Sequence, residues 1–384
     1  MKEGFRTNLR QMRTRLGLNQ QALADLAGVT RQTISGAETG QYVPSTAIAL
    51  RLARILGCTV EELFWLEEAA PIVEAVPSAA LRGHLQPTRV RLAQVGGRWV
   101  AHPLHGAPAF RTELVPADGV WAGHGTVRLL DEPEHLAQTA LIAGCDPAVS
   151  LWARAAERWH PGLRIDWLWA NSTEALGALR RGEVHAAGTH LFDPATGESN
   201  LPFVRRLLPE LPVVLVNLGT WAEGLLLAPG NPKGITSLQD LRRPEIQIVN
   251  REAGSGARHL LDAALQGATA EDSASVAPQG VAPPKGAPVN GYDQVRYDHQ
   301  GIAQAIAAGV ADAGVSAAPV AAAWGLDFLP LQTVRYDLVI PKAYLTERPI
   351  QALLATLSNR WVRAQLEALG GFDTRQTGEI VGET

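Results

Sequence analysis

The 384-residue chain has two cysteines, Cys58 and Cys145, and two methionines. One cysteine pair in a chain of this length is neither a disulfide framework nor a zinc cluster, so a reducing cytoplasm and no metal site are expected. Residues 1–20 alternate arginine with apolar residues and lack an unbroken apolar stretch, so neither a secretory leader nor a spanning helix is expected there. A membrane partner is therefore not expected. The Gly-Ser-Gly turn at residues 254–256 lacks the lysine of a Walker loop, and Ser255 does not sit in a Gly-x-Ser-x-Gly elbow. No nucleophile has an evident base, so no catalytic residue is assigned and the chain is not expected to be an enzyme. Hydrophobic residues make up 46% and charged residues 19%, a balance that folds, over a length too great for one core. The net charge of −4 argues against indiscriminate nucleic-acid binding. Charge is uneven, however: through Gly57 eight basic residues face three acidic ones, a local +5.

In that basic head, Phe5, Leu9, Met12 and Leu16 recur at helical spacing, with Arg6, Arg10 and Arg13 on the adjoining face. Asn19 caps a second helix over residues 20–26, Ala27-Gly28-Val29 makes a tight turn, and Thr30 starts a third helix ending near Glu38. Pro44-Ser45 restarts the chain as a helix that stops at Gly57. Thr59 and Glu62 have capping-box spacing, predicting a short helix over residues 60–64. The run LNQQALADLAGVTRQTISGAETGQYVPS followed by ALRLARILGCTVEELF resembles the Cro/C1-type (XRE) helix-turn-helix domain over about residues 7–66. The resemblance implies that the third helix enters the DNA major groove, with Arg31, Gln32 and Thr33 as base readers and Gln20 as phosphate clamp. Arg31 suits guanine and Gln32 adenine, because their donors and acceptors match those base edges. Gly36 departs from the family pattern, while Leu23, Val29, Ile34 and Leu52 read as core.

Residues 69–88 hold three prolines and no sustained period, which reads as a linker. Residues 90–94, 98–103, 119–122 and 126–130 read as strands of a connecting region, 89–138. Beyond it, TALIAG precedes DPAVSLWARAAERW, LRIDWLWA precedes STEALGALRRG, and IQIVN leads through REAGSG into ARHLLDAALQ. Such alternation builds a parallel sheet covered by helices, with ligands at the carboxyl ends of its strands. At three of those ends stand Asp146-Pro147, Asn171 with Glu174 at capping-box spacing, and Gly254-Ser255-Gly256. Each presents a helix amino terminus, which favours anions, although ordinary capping accounts for any one alone. Arg251 and Arg258 flank the last turn.

GCDPAVSL, RGEVHAAGTHL, APGNPKGI, VNREAGSGARHLLD, GVADAGV and LDFLPLQTVRYDLVIP resemble the periplasmic-binding-protein-like domain of some bacterial regulators, similar to type 2, molybdate-binding proteins. That resemblance implies a multidomain chain: an all-α helix-turn-helix head (1–68), linker (69–88), strand-rich region (89–138) and two-lobed α/β sensor (139–384). Lobe one would be 139–218 with a return after 335, lobe two 225–330, the hinge 213–227 and 329–339, and 268–290 a flexible insertion. The expected ligand set is Asp146, Ser172, Thr173, His190, Arg251, Ser255, Gly256, Arg258 and Tyr336, around a small anion, molybdate or tungstate first, and no other cofactor. His185 and His190 are read as hydrogen-bonding residues, since no third metal ligand is evident; His299 and Tyr336 resemble cleft-edge positions. Trp152, Trp167, Trp169 and Trp221 offer a stacking surface for the alternative, an organic anion or pterin-type precursor, if any faces the cleft. A further alternative is an enzyme on this fold carrying the same head. The expected partners are a double-stranded DNA operator and a second copy of the chain, because one small head buries little DNA.

Overall fold

The computed structural model describes residues 4–66, 70–106, 109, 114–193, 196–266 and 289–384. The chain divides into two compact units, Met1–Pro71 and Ile72–Thr384. Of the expected insertion, residues 268–288 lie outside the described residues.

The first unit runs β1 (Phe5–Thr7), α1 (Leu9–Arg15), α2 (Gln20–Ala27), α3 (Arg31–Glu38), α4 (Thr46–Leu56), α5 (Val60–Leu63) and β2 (Phe64–Leu66). The expected caps form: Asn19, Thr30 and Ser45 side chains accept from Ala22, Thr33 and Ile48 N–H, and Thr59 with Glu62 closes a capping box. Gly28 and Gly57 end α2 and α4 at φ 62° and 67°, left-handed geometry that glycine adopts without steric cost. Leu9, Leu23, Ile34, Leu52 and Leu63 are fully buried, and Val29 packs against them.

The first helix is shorter than its periodicity suggests. Phe5 pairs with Leu66 in an antiparallel ribbon, and its ring stacks on Phe64 at 5.7 Å. A tertiary pairing thus overrides the local helical period, and Leu16 is left exposed. Nor does Arg13 join the basic face. Its guanidinium donates to Glu38 Oε1 at 2.5 Å and to the Leu18 carbonyl at 2.6 Å, tying α1 to the end of α3.

In the second unit the segment expected to be a linker is structured. β3 (Ile72–Glu74) and β4 (Val76–Pro77) join β5 (Thr88–Val95), β6 (Arg98–Pro103), β7 (Gly119–Gly123) and β8 (Thr126–Leu129) in one sheet, ordered β3-β8-β7-β5-β6-β4. Prolines did not prevent pairing, because Pro77 lies on the edge strand β4, where a missing N–H costs little. Ala75 and Leu81 fill the core of this sheet, so residues 72–88 belong to the second domain. The sheet is also no mere connector, since Ala93, Val95 and Val100 share a core with the strands beyond it. Arg91 pairs with Asp166 at 2.7 Å, and Arg164 with Asp118 at 2.6 Å.

After α6 (Pro133–Leu136) come β9 (Thr139–Gly144), α7 (Ala148–Trp159), β10 (Arg164–Trp169), α8 (Ser172–Arg180), β11 (Ala186–Thr189), β12 (Phe192–Asp193), β13 (Glu198–Ser199) and α9 (Leu201–Leu207). Then follow β14 (Val213–Leu227), β15 (Asn250–Arg251), α10 (Gly256–Gln266), β16 (Val295–Arg296), α11 (His299–Ala307), β17 (Ala313–Ala317), α12 (Ala318–Trp324) and β18 (Asp327–Pro341). α13 (Arg348–Ala355), α14 (Arg360–Glu367), β19 (Phe372–Asp373) and β20 (Ile380–Glu383) complete the chain.

The large sheet has the order β10-β9-β11-β18-β14-β17, with β9 parallel to both β10 and β11. β14 and β18 pair antiparallel from Val213↔Pro341 to Leu227↔Asp327. Their first and last portions serve different lobes: β11 pairs with the Asp337–Val339 end of β18, and β17 with the Glu223–Leu227 end of β14. These two long apolar strands therefore form the double crossover at the positions expected for a hinge.

Candidate functional site

In the head, Arg31 and Gln32 are exposed at the first turn of α3, where the readers were placed. Thr33 is half-buried, and its hydroxyl lies 2.9 Å from that of Thr30, within the helix cap. Gln20 donates from Nε2 to Glu38 Oε2 at 2.8 Å, so its amide also braces α2 against α3. Burial works against the Glu38 charge, but hydrogen bonds from Arg13 and Gln20 hold its carboxyl below the usual range. The unusual Gly36 has a steric cause, for a Cβ there would stand 3.1 Å from Tyr42 Cβ.

In the second unit the chemistry gathers where the two lobes meet. Asn171 donates to the Ala253 carbonyl at 3.4 Å, and the Thr173 hydroxyl donates to the Gly254 carbonyl at 3.2 Å. The start of α8 thus touches the loop that starts α10. Gly254 has φ 90°, and a Cβ on Gly256 would stand 2.7 Å from the His190 ring, so this loop needs glycine to approach. Asn171 satisfies the Glu174 amide, and the Ser255 hydroxyl satisfies that of Arg258. The first-turn N–H groups of Ser172, Thr173, Gly256 and Ala257 have no acceptor within their helices.

Ser172 is fully buried, and its Oγ accepts from the His190 amide at 3.2 Å. Ser255 is also buried, but its hydroxyl donates to the Glu252 carbonyl at 3.0 Å and so serves the turn. Arg258 does not face the seam as expected. It pairs with Asp262 at 3.0 Å and lies 4.2 Å over the Tyr292 ring, because Asp262 sits one helical turn along α10. Arg251 is buried against Glu252 at 2.9 Å, with Nη1 lacking an acceptor among the described residues.

His190 is the hub. Its Nδ1 lies 3.5 Å from Cys145 Sγ and its Nε2 3.5 Å from Glu223 Oε1, and its ring neighbours Trp221, Tyr336 and His299 at 5.7, 6.1 and 5.8 Å. Asp146 accepts from the Ala148 amide at 2.9 Å with Oδ1, while its Oδ2 has no partner among the described residues. Trp221 Nε1, His299 Nε2 and the Tyr336 hydroxyl are likewise buried and unpartnered among the described residues. Gly144 and Gly188 make room for that hydroxyl, since a Cβ at either would overlap it.

Thus the seam brings together Asp146, Ser172, Thr173, His190, Arg251, Gly256 and Tyr336, and excludes Arg258. His185 lies elsewhere, bonded to the Leu141 amide and the Gln94 carbonyl. Trp152 is core, with Nε1 donating to Thr356, whereas Trp221 does face the seam. Cys145 and Glu223 were missed. Cys145 follows β9 at the same strand edge as Asp146, and Glu223 is a lone charge in an apolar run; both signals were present in the sequence.

A sequence profile of the PBP superfamily domain matches residues 153–358. The chain belongs to the PBP superfamily. A helix-turn-helix profile matches residues 9–63, so a helix-turn-helix domain is fused to the PBP-like domain. An uncharacterized protein of Bacillus subtilis (strain 168), YvgK, is 35% identical over 213 residues, 56% of this chain. The match spans 64% of that relative, less than two thirds of its length. An uncharacterized HTH-type transcriptional regulator of Methanothermobacter thermautotrophicus is 50% identical over 65 residues, 17% of this chain and 94% of its own. The sulfate-binding protein SubI from Mycobacterium tuberculosis H37Rv aligns with a TM-score of 0.43 and 14% identity, over 61% of this chain and 86% of its own.

Charge in the PBP-like domain is unevenly poised. Burial pushes the Asp146 carboxyl up to about 6, against its hydrogen bond from Ala148 and the nearby His190. Burial opposes charge on His190 too, but the Cys145 thiol and the Glu223 carboxylate outweigh it and push the imidazole up to about 10. A raised folded pKa stabilises below the unfolded value. For Asp146 that contribution is complete below 3.8 and lost as pH rises through about 6; for His190 it is complete below 6.5 and lost through about 10. Asp146→Asn keeps the acceptor for Ala148 without the charge. Urea melts should show it more stable than wild type near neutral pH by about 1–3 kcal/mol, with the gap closing in acid. A gap that does not vary with pH would contradict this.

Proposed function

We propose that this chain is a cytoplasmic, ligand-responsive DNA-binding transcription regulator, in which a small anion held between the lobes of the PBP-like domain modulates operator binding. The observation that carries the reading is the meeting of the start of α8 with the loop that starts α10, where the first-turn N–H groups of both helices have no acceptor within their own helix. Helix amino termini attract anions through those groups and through the helix dipole. His190, cationic near neutral pH, supplies charge that Arg258 does not. A tetrahedral oxyanion, molybdate or tungstate, is the leading ligand. The ring wall of Trp221, Tyr336 and His190 favours a second reading, an organic anion stacked on aromatics.

A ligand acts on DNA only if it binds one state better than the other. Two copies, each presenting Arg31 and Gln32, would read a pseudo-palindrome, and a change in the lobes would alter the spacing of the heads. No catalytic step is part of this reading. The test is titration calorimetry with molybdate, tungstate, sulfate and phosphate, followed by operator binding with and without the best of them. Binding of one oxyanion and a shift in operator affinity are expected. If none binds while an organic anion does, the organic reading replaces it.

A further inference from the structure

From the side chains that converge on His190 we infer that the seam contains a site for a single transition-metal ion, held by Cys145, His190 and His299. One ligand atom from each lies within 4.8 Å of the others, and all three residues are buried. The set of one thiolate and two imidazoles suits zinc, cobalt(II) or copper, and excludes magnesium or calcium, which take oxygen.

The hydrogen bonds around the histidines point the same way. His299 Nδ1 is bonded to the Ser316 hydroxyl at 2.9 Å, leaving Nε2 buried without a partner among the described residues. His190 offers Nδ1 toward Cys145 at 3.5 Å, while its Nε2 faces Glu223 at 3.5 Å. The His299 ring thus has one nitrogen held by a side chain that fixes its orientation and the other open toward the cluster, as metal-bound histidines do, while His190 turns Nδ1 toward Cys145 and its Nε2 stands near Glu223 without a hydrogen bond among the described residues. An unpartnered buried ring nitrogen is otherwise costly. Coordination by Cys145 and His190 displaces their protons to solvent, and Glu223 and Asp146 supply counter-charge. An acid pair beside an anion site would otherwise oppose the anion. The metal site does not depend on the oxyanion reading, since its ligands are complete without one.

The site is tested on the full chain, stripped with a chelator and then titrated with cobalt(II) and zinc in the absence of any oxyanion. One equivalent should bind, cobalt(II) should give a thiolate charge-transfer band, and zinc should displace it. Cys145→Ser should abolish the band, whereas Cys58→Ser should keep it. Ser316→Ala should weaken affinity by roughly 10- to 100-fold through the loosened His299 ring. In case the seam variants fail to fold, alkylation of wild type mapped by mass spectrometry gives a second reading: zinc should protect Cys145 and leave Cys58 reactive. Absence of metal binding, a band that survives Cys145→Ser, or zinc protection confined to Cys58 would overturn the assignment. Metal binding with no oxyanion binding would leave this site standing and remove the anion reading.

Discussion

With α3 read as the recognition helix, Arg31→Ala and Gln32→Ala are each expected to cost about 1–3 kcal/mol in operator binding, a loss of roughly 5- to 150-fold in affinity for the preferred sequence. Both side chains project from the first turn of α3 into solvent. Removing them leaves the core of the head, centred on Leu23, Ile34 and Leu52, untouched. The loss should therefore appear in specificity and not in folding. Binding-site selection on wild type and each variant, with circular dichroism as the control, checks it. Selection of the wild-type motif at wild-type affinity would remove α3 from the groove. Gln20→Ala is a less clean probe of phosphate contact, because it also deprives Glu38 of a hydrogen bond.

Gly256→Val is expected to lower affinity for the best-bound oxyanion by roughly 5- to 150-fold, since overpacking costs about 1–3 kcal/mol. The added Cβ would stand 2.7 Å from the His190 ring and 2.9 Å from the His190 carbonyl, so the α10 loop must withdraw. Apparent affinity then falls with the fraction of molecules whose seam can close. Valine's branched side chain is compatible with a helix, though slightly less favourable than small residues, so α10 should persist. Calorimetry on the variant and melting of both proteins separate a lost site from a lost fold. Binding equal to wild type would place the ligand away from this seam. A Ser172→Asp substitution would test the site less cleanly, for an aspartate at that position would meet the His190 imidazole.

How much was legible differs between the two units for a physical reason. Caps, glycine stops and apolar periods are local, and the head is built from little else. Asn19, Thr30, Ser45, Thr59 and Glu62 could be assigned from their neighbours alone, and Gly28 and Gly57 stop helices where the pattern says they should. Where a contact between distant residues competes, local reading fails. Phe5 leaves the helical period to pair with Leu66, and Arg13 leaves the basic face for Glu38. The stretch after Pro71 looked like a tether because strands of two or three residues carry no detectable period. Their pairing with β8 and β6 exists only in the sheet.

By itself the sequence determined the alternation of strands and helices, the hinge strands as two apolar runs, and the helix starts at Ser172 and Gly256. Those properties depend on residue type and spacing within a dozen positions. Which groups share the seam was decided by tertiary structure. Arg258 stands beside the right turn, yet turns to Asp262 because that partner is one helical turn away. Cys145, His190, Glu223 and His299 come from four different parts of the chain, and only the crossing of β14 and β18 between the lobes brings them around one imidazole. No spacing rule encodes that meeting, because the distance between those residues along the chain is unrelated to their distance in the folded sheet.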